Sequence, residues 1–245
     1  MRRMFIRAFD RKYLYVSVMI LIIYAYFCGS ELAVAKESNL NLGEYMLLTL
    51  TEQYYLIYGW FFFLIFDVTV RIKREGYLEK IRYLRIKKYY QTEVFYRVLY
   101  FSAMGLMHIL IPLCIGITKL PLCGRYSETV LAGVYDGRVD VLIKLNDVFL
   151  NPVFAFICVW GYFIFGSIII SLILFYVYQL FNKPVFVCAE IIAICSTVTG
   201  FLNMGNDFFG NIFFLNKYYI FHHAFEDGLF LTILRIPVLL GVMYI

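Results

Sequence analysis

RIKREGYLEKIRYLRIKKYYQTEVFYR, residues Arg71 to Arg97, holds nine of the 22 lysines and arginines of the chain and lies between two long apolar runs. Basic residues crowded close to the ends of hydrophobic segments mark the cytoplasmic side of a membrane protein, so this stretch sets the direction of every other segment. Helical spacing gathers Ile72, Leu78, Ile81, Leu84 and Ile86 on an apolar side and turns Arg74, Lys80, Arg85 and Lys88 away from it. The expectation is an amphipathic helix that lies on the inner membrane surface or docks on a cytoplasmic partner.

Composition supports a lipid solvent for most of the chain. Of 245 residues, 62% are hydrophobic and only 16% charged, with a mean hydropathy of +0.77; soluble domains carry about 25% charged residues. With about 20 apolar residues per crossing, the length allows about six crossings joined by short loops, in a single transmembrane domain spanning residues 1–245. The net charge of +5 falls mainly on the segments assigned to the cytoplasmic side and matches an anionic inner leaflet. No nucleic-acid module is present in the sequence.

Taken in order, Met1 to Lys12 has five basic residues interleaved with Met4, Phe5, Ile6 and Phe9, the pattern of an amphipathic elbow helix lying in the interface. The first crossing is expected over Tyr13 to Ala33. A cleaved signal peptide competes with it, since Cys28, Gly29 and the run Ala33-Val34-Ala35 suit a cleavage site, but the apolar run continues to full bilayer length. Further crossings are expected over Tyr45 to Val70, Val98 to Ile117 with a kink at Pro112, Pro152 to Tyr178, Val185 to Asn203, and from Leu229 to Ile245. The turn Gln179 to Pro184 is short enough to force its flanking helices to be antiparallel neighbours.

The loop Thr118 to Asn151 is the longest polar segment, and Val139, Leu142, Ile143 and Val148 point to an interfacial helix within it. Met204 to Gly228 is strongly aromatic yet interrupted by Gly205, Asn206, Asp207, Gly210, Asn211, Asn216 and Lys217, so short re-entrant or surface-lying helices are expected there. This arrangement puts 15 basic residues inside and six outside, with Arg235 inside a crossing. The fold class is therefore an all-α polytopic membrane protein of six transmembrane helices, both termini cytoplasmic, in the plasma membrane.

Chemistry is sparse. No nucleotide-binding or hydrolase motif occurs, so neither catalytic residues nor a cofactor are expected. The six cysteines form no CxxC pair, and only Cys28, Cys114 and Cys123 lie where a disulfide could join them. His222, His223, Glu226 and Asp227 have helical i,i+4 spacing but lack a clear third ligand, so no metal site is assigned. Ionisable residues inside crossings cost on the order of 2.5 to 3.5 kcal/mol and seek partners or a wet cavity. They are Glu52, Glu190 and Arg235, with His108 beside them. By depth, Glu52 and Arg235 can pair near the outer face, as a structural ion pair or as part of a substrate path. Glu190 lies too near the inner turn to join them.

With its basic elbow, six crossings, long basic loop between the second and third, short turn at Gln179 to Pro184 and broken aromatic segment before the last, the plan resembles the permease subunit of an ABC-2-type exporter. It is similar to small permeases of peptide, bacteriocin or lantibiotic export and immunity systems. The resemblance is architectural, and the long loop Thr118 to Asn151 departs from it. It implies an ATP-binding partner subunit, a second permease copy (identical or related) and surrounding lipids. Contact with the ATPase would fall on Tyr77, Leu78, Ile81 and Leu84 in the basic loop and on Lys183 in the short turn. The competing readings are an immunity or sensor protein that acts by binding, and a membrane enzyme without a recognised motif.

Overall fold

The structure is a computed structural model that describes residues 11–74, 86–133, 137, 139–181, 183–202 and 215–225. Every regular element among these residues is a helix. Helix α1 runs Arg11–Glu37, α2 Leu42–Leu50, a π-helical segment Tyr55–Trp60 and α3 Phe61–Arg74. Helix α4 is Ile86–Gly116, α5 Glu128–Leu131, α6 Asp140–Asn146, α7 Pro152–Leu180 and α8 Lys183–Phe201. A short 3-10 helix, Leu215–Tyr218, and α9, Phe221–Phe225, complete the set.

Four helices are long and apolar enough to cross a bilayer: Leu14–Glu37, Lys88–Gly116, Pro152–Leu180 and Lys183–Phe201. With the bent pair Leu42–Leu50 and Tyr55–Val70 counted as one span, up to five segments among the described residues are long and apolar enough to cross, consistent with a multi-pass membrane protein. Of the expected elbow, Met1 to Lys12, residues 1–10 lie outside the described residues and Arg11 and Lys12 belong to α1; the expected sixth crossing, with Arg235, also lies outside them. So do Tyr77, Leu78, Ile81 and Leu84.

Two boundaries differ from the sequence expectation. The second crossing is not continuous but breaks at Thr51–Tyr54 and turns by 45°. The polar run Thr51-Glu52-Gln53 supplies the cause, because the Thr51 hydroxyl returns to the Leu47 and Leu48 carbonyls while Glu52 accepts from the Tyr55 N–H as the chain restarts. The third crossing is longer than expected. Helix α4 begins at Ile86 and so absorbs the last part of the basic stretch, giving a rod of about 46 Å against a hydrocarbon core of about 30 Å. Pro112 sits inside it without ending it.

Both long helices α1 and α4 pack against each other, and α7 contacts α2, α3, α4 and α8 from the centre of the bundle. Helix α7 starts cleanly because Asn151 caps the Val153 and Phe154 N–H groups ahead of an N-terminal proline. At the same end of the bundle, α2 opens with a capping box in which Asn41 and Glu44 exchange side chain-to-backbone bonds. The connection 118–151 carries a helix, α6, where the apolar spacing predicts one, with Val139, Leu142 and Ile143 buried, whereas Val148 is exposed. All six cysteines are free, and Cys28 is buried within α1 while Cys114 and Cys123 are exposed.

Residues 215–225 are drawn into the bundle. Tyr219, Ile220 and Ala224 are almost fully buried, and the 3-10 backbone lies directly on α7 at Gly166. A Cβ at that glycine would fall 2.1 Å from the Tyr218 carbonyl oxygen, so only glycine permits the approach.

Candidate functional site at the break in the second span

Near its break, the second crossing meets a different element at almost every residue. Thr49, one turn before the break, faces the Tyr24 hydroxyl of α1 at 3.5 Å. Gln53 lies 3.2 Å from His222 Nε2 on α9. Tyr55 reaches His108 on α4 at 2.7 Å, and the Tyr219 hydroxyl donates to the Leu56 carbonyl. Leu56 also accepts from the Phe61 N–H, the wide bond of the π-turn, so Tyr219 adds a second donor to that carbonyl. These connections join side chains of the second crossing, and the Leu56 carbonyl, to polar partners on other elements, so that few of them face hydrocarbon unpaired.

His108 is the centre of this network and is fully buried. Its Nδ1 lies 2.7 Å from the Met104 carbonyl, which can only accept, so Nδ1 carries the proton. Nε2 is then the acceptor for the Tyr55 hydroxyl. Tyr24 packs its ring 4.4 Å from the imidazole and donates to the His108 carbonyl, and Trp60 meets the imidazole edge-on at 4.8 Å. Trp60 Nε1 in turn donates to Ser167 on α7, whose hydroxyl donates to the Phe163 carbonyl. Four crossings thus share one fully buried polar cluster.

Beside the break, a cleft of about 420 Å³ is lined by Phe27, Ser30, Glu31, Thr51, Glu52, Gln53 and Tyr54, with Gly137 and Val141 from the long loop. Carboxylates, hydroxyls and aromatic rings in one recess suit a cationic or amphipathic ligand.

The predicted site residues separate. Glu52 lies in this cleft, half-buried. Glu190 is on α8 and accepts from the Thr69 hydroxyl near the far end of α3, so the two carboxylates belong to opposite halves of the bundle, as depth requires. Lys183 is the exposed first residue of α8. Arg235, and with it the Glu52 to Arg235 pair, lies outside the described residues, as do Glu226 and Asp227. His222 and His223 are adjacent, but no group of three metal-ligating side chains occurs among the described residues.

Sequence reasoning missed several groups. Arg97, assigned to the loop, is 1% exposed inside the bundle. It donates to Ser171 at 2.9 Å, lies 3.9 Å from Glu93 one turn earlier and sits over the Phe175 ring at 4.6 Å. An i,i+4 Glu-Arg pair bordering an apolar run was the available signal. Glu44 lies just ahead of the crossing expected from Tyr45, yet it is fully buried and its carboxylate accepts from the Asn41 N–H, the Ser127 N–H and the Ser127 hydroxyl. Beside it, burial pushes the Tyr126 phenol up to about 12, the Glu44 charge adding to the effect. Tyr24, Tyr55 and Trp60 carried no separable signal, since aromatic residues make up 20% of the chain.

No protein-family model matches this chain, and no curated protein or solved structure matches it.

Proposed function

We propose that this chain is the permease subunit of an ATP-driven exporter of the ABC-2 type, moving a cationic or amphipathic peptide out of the cell. The observation that carries the reading is the broken second crossing, with a polar, acidic cleft beside the break. A discontinuous span in a helix bundle is tolerated where its freed backbone groups line a cavity or meet protein, and that is the arrangement transporters use for their binding sites. The cytoplasmic ends of the bundle would be those carrying Arg74 and Lys183, with the cleft open to the outside.

Energy would enter through the basic connection 75–85 and the short turn at Lys183, from a partner that binds nucleotide. The experiment is co-purification of the tagged full chain from its native membrane. The expected result is a stoichiometric ATP-binding subunit with stimulated ATPase activity, lost in Leu78→Glu or Ile81→Glu although both variants insert and express normally. If the wild-type chain retains no ATPase, the permease reading fails. If the two variants retain it at the wild-type level, the basic loop is not the coupling element.

A further inference from the structure

A second recess lies between α1 and the lower half of the second crossing. It measures about 570 Å³ and is lined by Val16, Met19, Ile20 and Ile23 on one side and by residues from Tyr58 to Val70 on the other. Its floor is buried, with Ile20 and Phe63 at 3% and 5% exposure, while its rims at Met19, Tyr58 and Phe66 are half open. Apart from the rim residue Tyr58 and from Thr69, whose hydroxyl is engaged by the Ile65 carbonyl and by Glu190, every lining side chain is apolar. The groove therefore offers an aliphatic ligand contact area and few competing hydrogen bonds.

Length and charge identify the occupant. From Tyr58 to Val70 the groove runs about 18 Å along the helix, close to the thickness of one leaflet, about half of a 30 Å hydrocarbon core. Helix α1 enters it just after Arg11 and Lys12, and α3 leaves it at Arg71, Lys73 and Arg74. Five basic residues thus belong to the helical turns at one end of the groove, at the level where a headgroup would lie. We infer that this groove is a binding site for one anionic phospholipid, its acyl chain between α1 and α3 and its phosphate at the Arg11 and Arg74 end. The inference needs only that the chain is a membrane protein, and stands or falls independently of transport.

Zwitterionic and anionic lipids share acyl chains, so the headgroup separates specific binding from general wetting by the bilayer. Each basic residue near the surface adds to the preference for an anionic lipid, so a cluster should discriminate by tenfold or more. The test is lipid titration of the detergent-purified full chain followed by native mass spectrometry, with phosphatidylglycerol and phosphatidylcholine as probes. The expected result is at least tenfold tighter retention of phosphatidylglycerol, falling to the phosphatidylcholine level in a variant with Arg11, Lys12, Arg71, Lys73 and Arg74 all changed to Gln. Ile23→Trp or Met19→Trp, each filling the groove, should weaken both lipids, while Ile22→Trp, exposed on the same helix but outside the groove, should weaken neither. Equal retention of the two lipids by the wild-type chain would overturn the proposal, as would groove-filling variants that bind phosphatidylglycerol no worse than Ile22→Trp.

Discussion

The Tyr55 hydroxyl donates to Nε2 of His108 across 2.7 Å, which joins the broken second crossing to α4 at a point where both residues are fully excluded from solvent. Removing the phenol oxygen leaves the imidazole acceptor without its donor, whereas removing the imidazole orphans the phenol. Interhelical hydrogen bonds in membranes are worth about 0.6 kcal/mol on average and up to about 1.7. Tyr55→Phe should therefore cost about 1 kcal/mol of bundle stability, and His108→Phe at least as much. In a double-mutant cycle scored by unfolding in detergent, the pair should show coupling; strictly additive losses would mean that the bond contributes nothing.

Glu44 ties the start of α2 to the long connection through Ser127 and Asn41. Converting the carboxylate to an amide replaces one of its two oxygens by an NH2 group, which must then face either the Asn41 N–H or the Ser127 N–H, so Glu44→Gln should be destabilising by roughly 1.5 to 3 kcal/mol, the range for hydrogen bonds to a charged group. Limited proteolysis is the direct measurement, with faster cleavage expected within 118–131. Ser127→Ala, which keeps the backbone bond, should give a smaller effect.

The neighbouring Tyr126 makes an alkaline prediction. Its phenol ionises at about 12 in the folded chain against 10.0 ordinarily. Folding thus favours the neutral form, and that contribution is complete below pH 10.0 and is lost as pH rises toward 12. Thermal denaturation followed across this window should show a decline that is shallower in Tyr126→Phe.

Gly166 predicts a steric failure. Alanine there meets a backbone carbonyl, which cannot rotate away as a side-chain tip could. Gly166→Ala should cost about 1 to 3 kcal/mol, the range for overpacking, and should loosen the 215–225 segment from α7. Cysteine accessibility at an engineered Ala224→Cys reads this out, since Ala224 is fully buried in the native fold.

Orientation is tested by topology tags. Reporters placed in Lys36 to Glu44 or Thr118 to Asn151 are expected to report outside, and reporters in 75–85 inside. An inside signal from the Ser127 loop would reverse the bundle and place the 420 Å³ cleft on the cytoplasmic face.

What the chain reveals by composition and periodicity is its solvent, its helical class and the approximate limits of its crossings, because a bilayer demands about 20 apolar residues per span and satisfied backbone throughout. Helices α1, α7 and α8 follow from that demand within a few residues, and α6 from the spacing of Val139, Leu142 and Ile143. Only the tertiary structure decided the rest. Thr51-Glu52-Gln53 is too short an interruption to end a hydropathy window, and whether it breaks the helix depends on the partners its polar groups find, here the Glu52 carboxylate at the Tyr55 N–H and His222 at the Gln53 side chain. Arg97 reads as one more loop cation until Ser171 and Phe175, both more than 70 residues further along the chain, are brought to it. His108 becomes a hub for the same reason. Burial of a polar side chain in a bundle requires partners from other helices, and partnership across such separations is a property of packing that no local pattern carries.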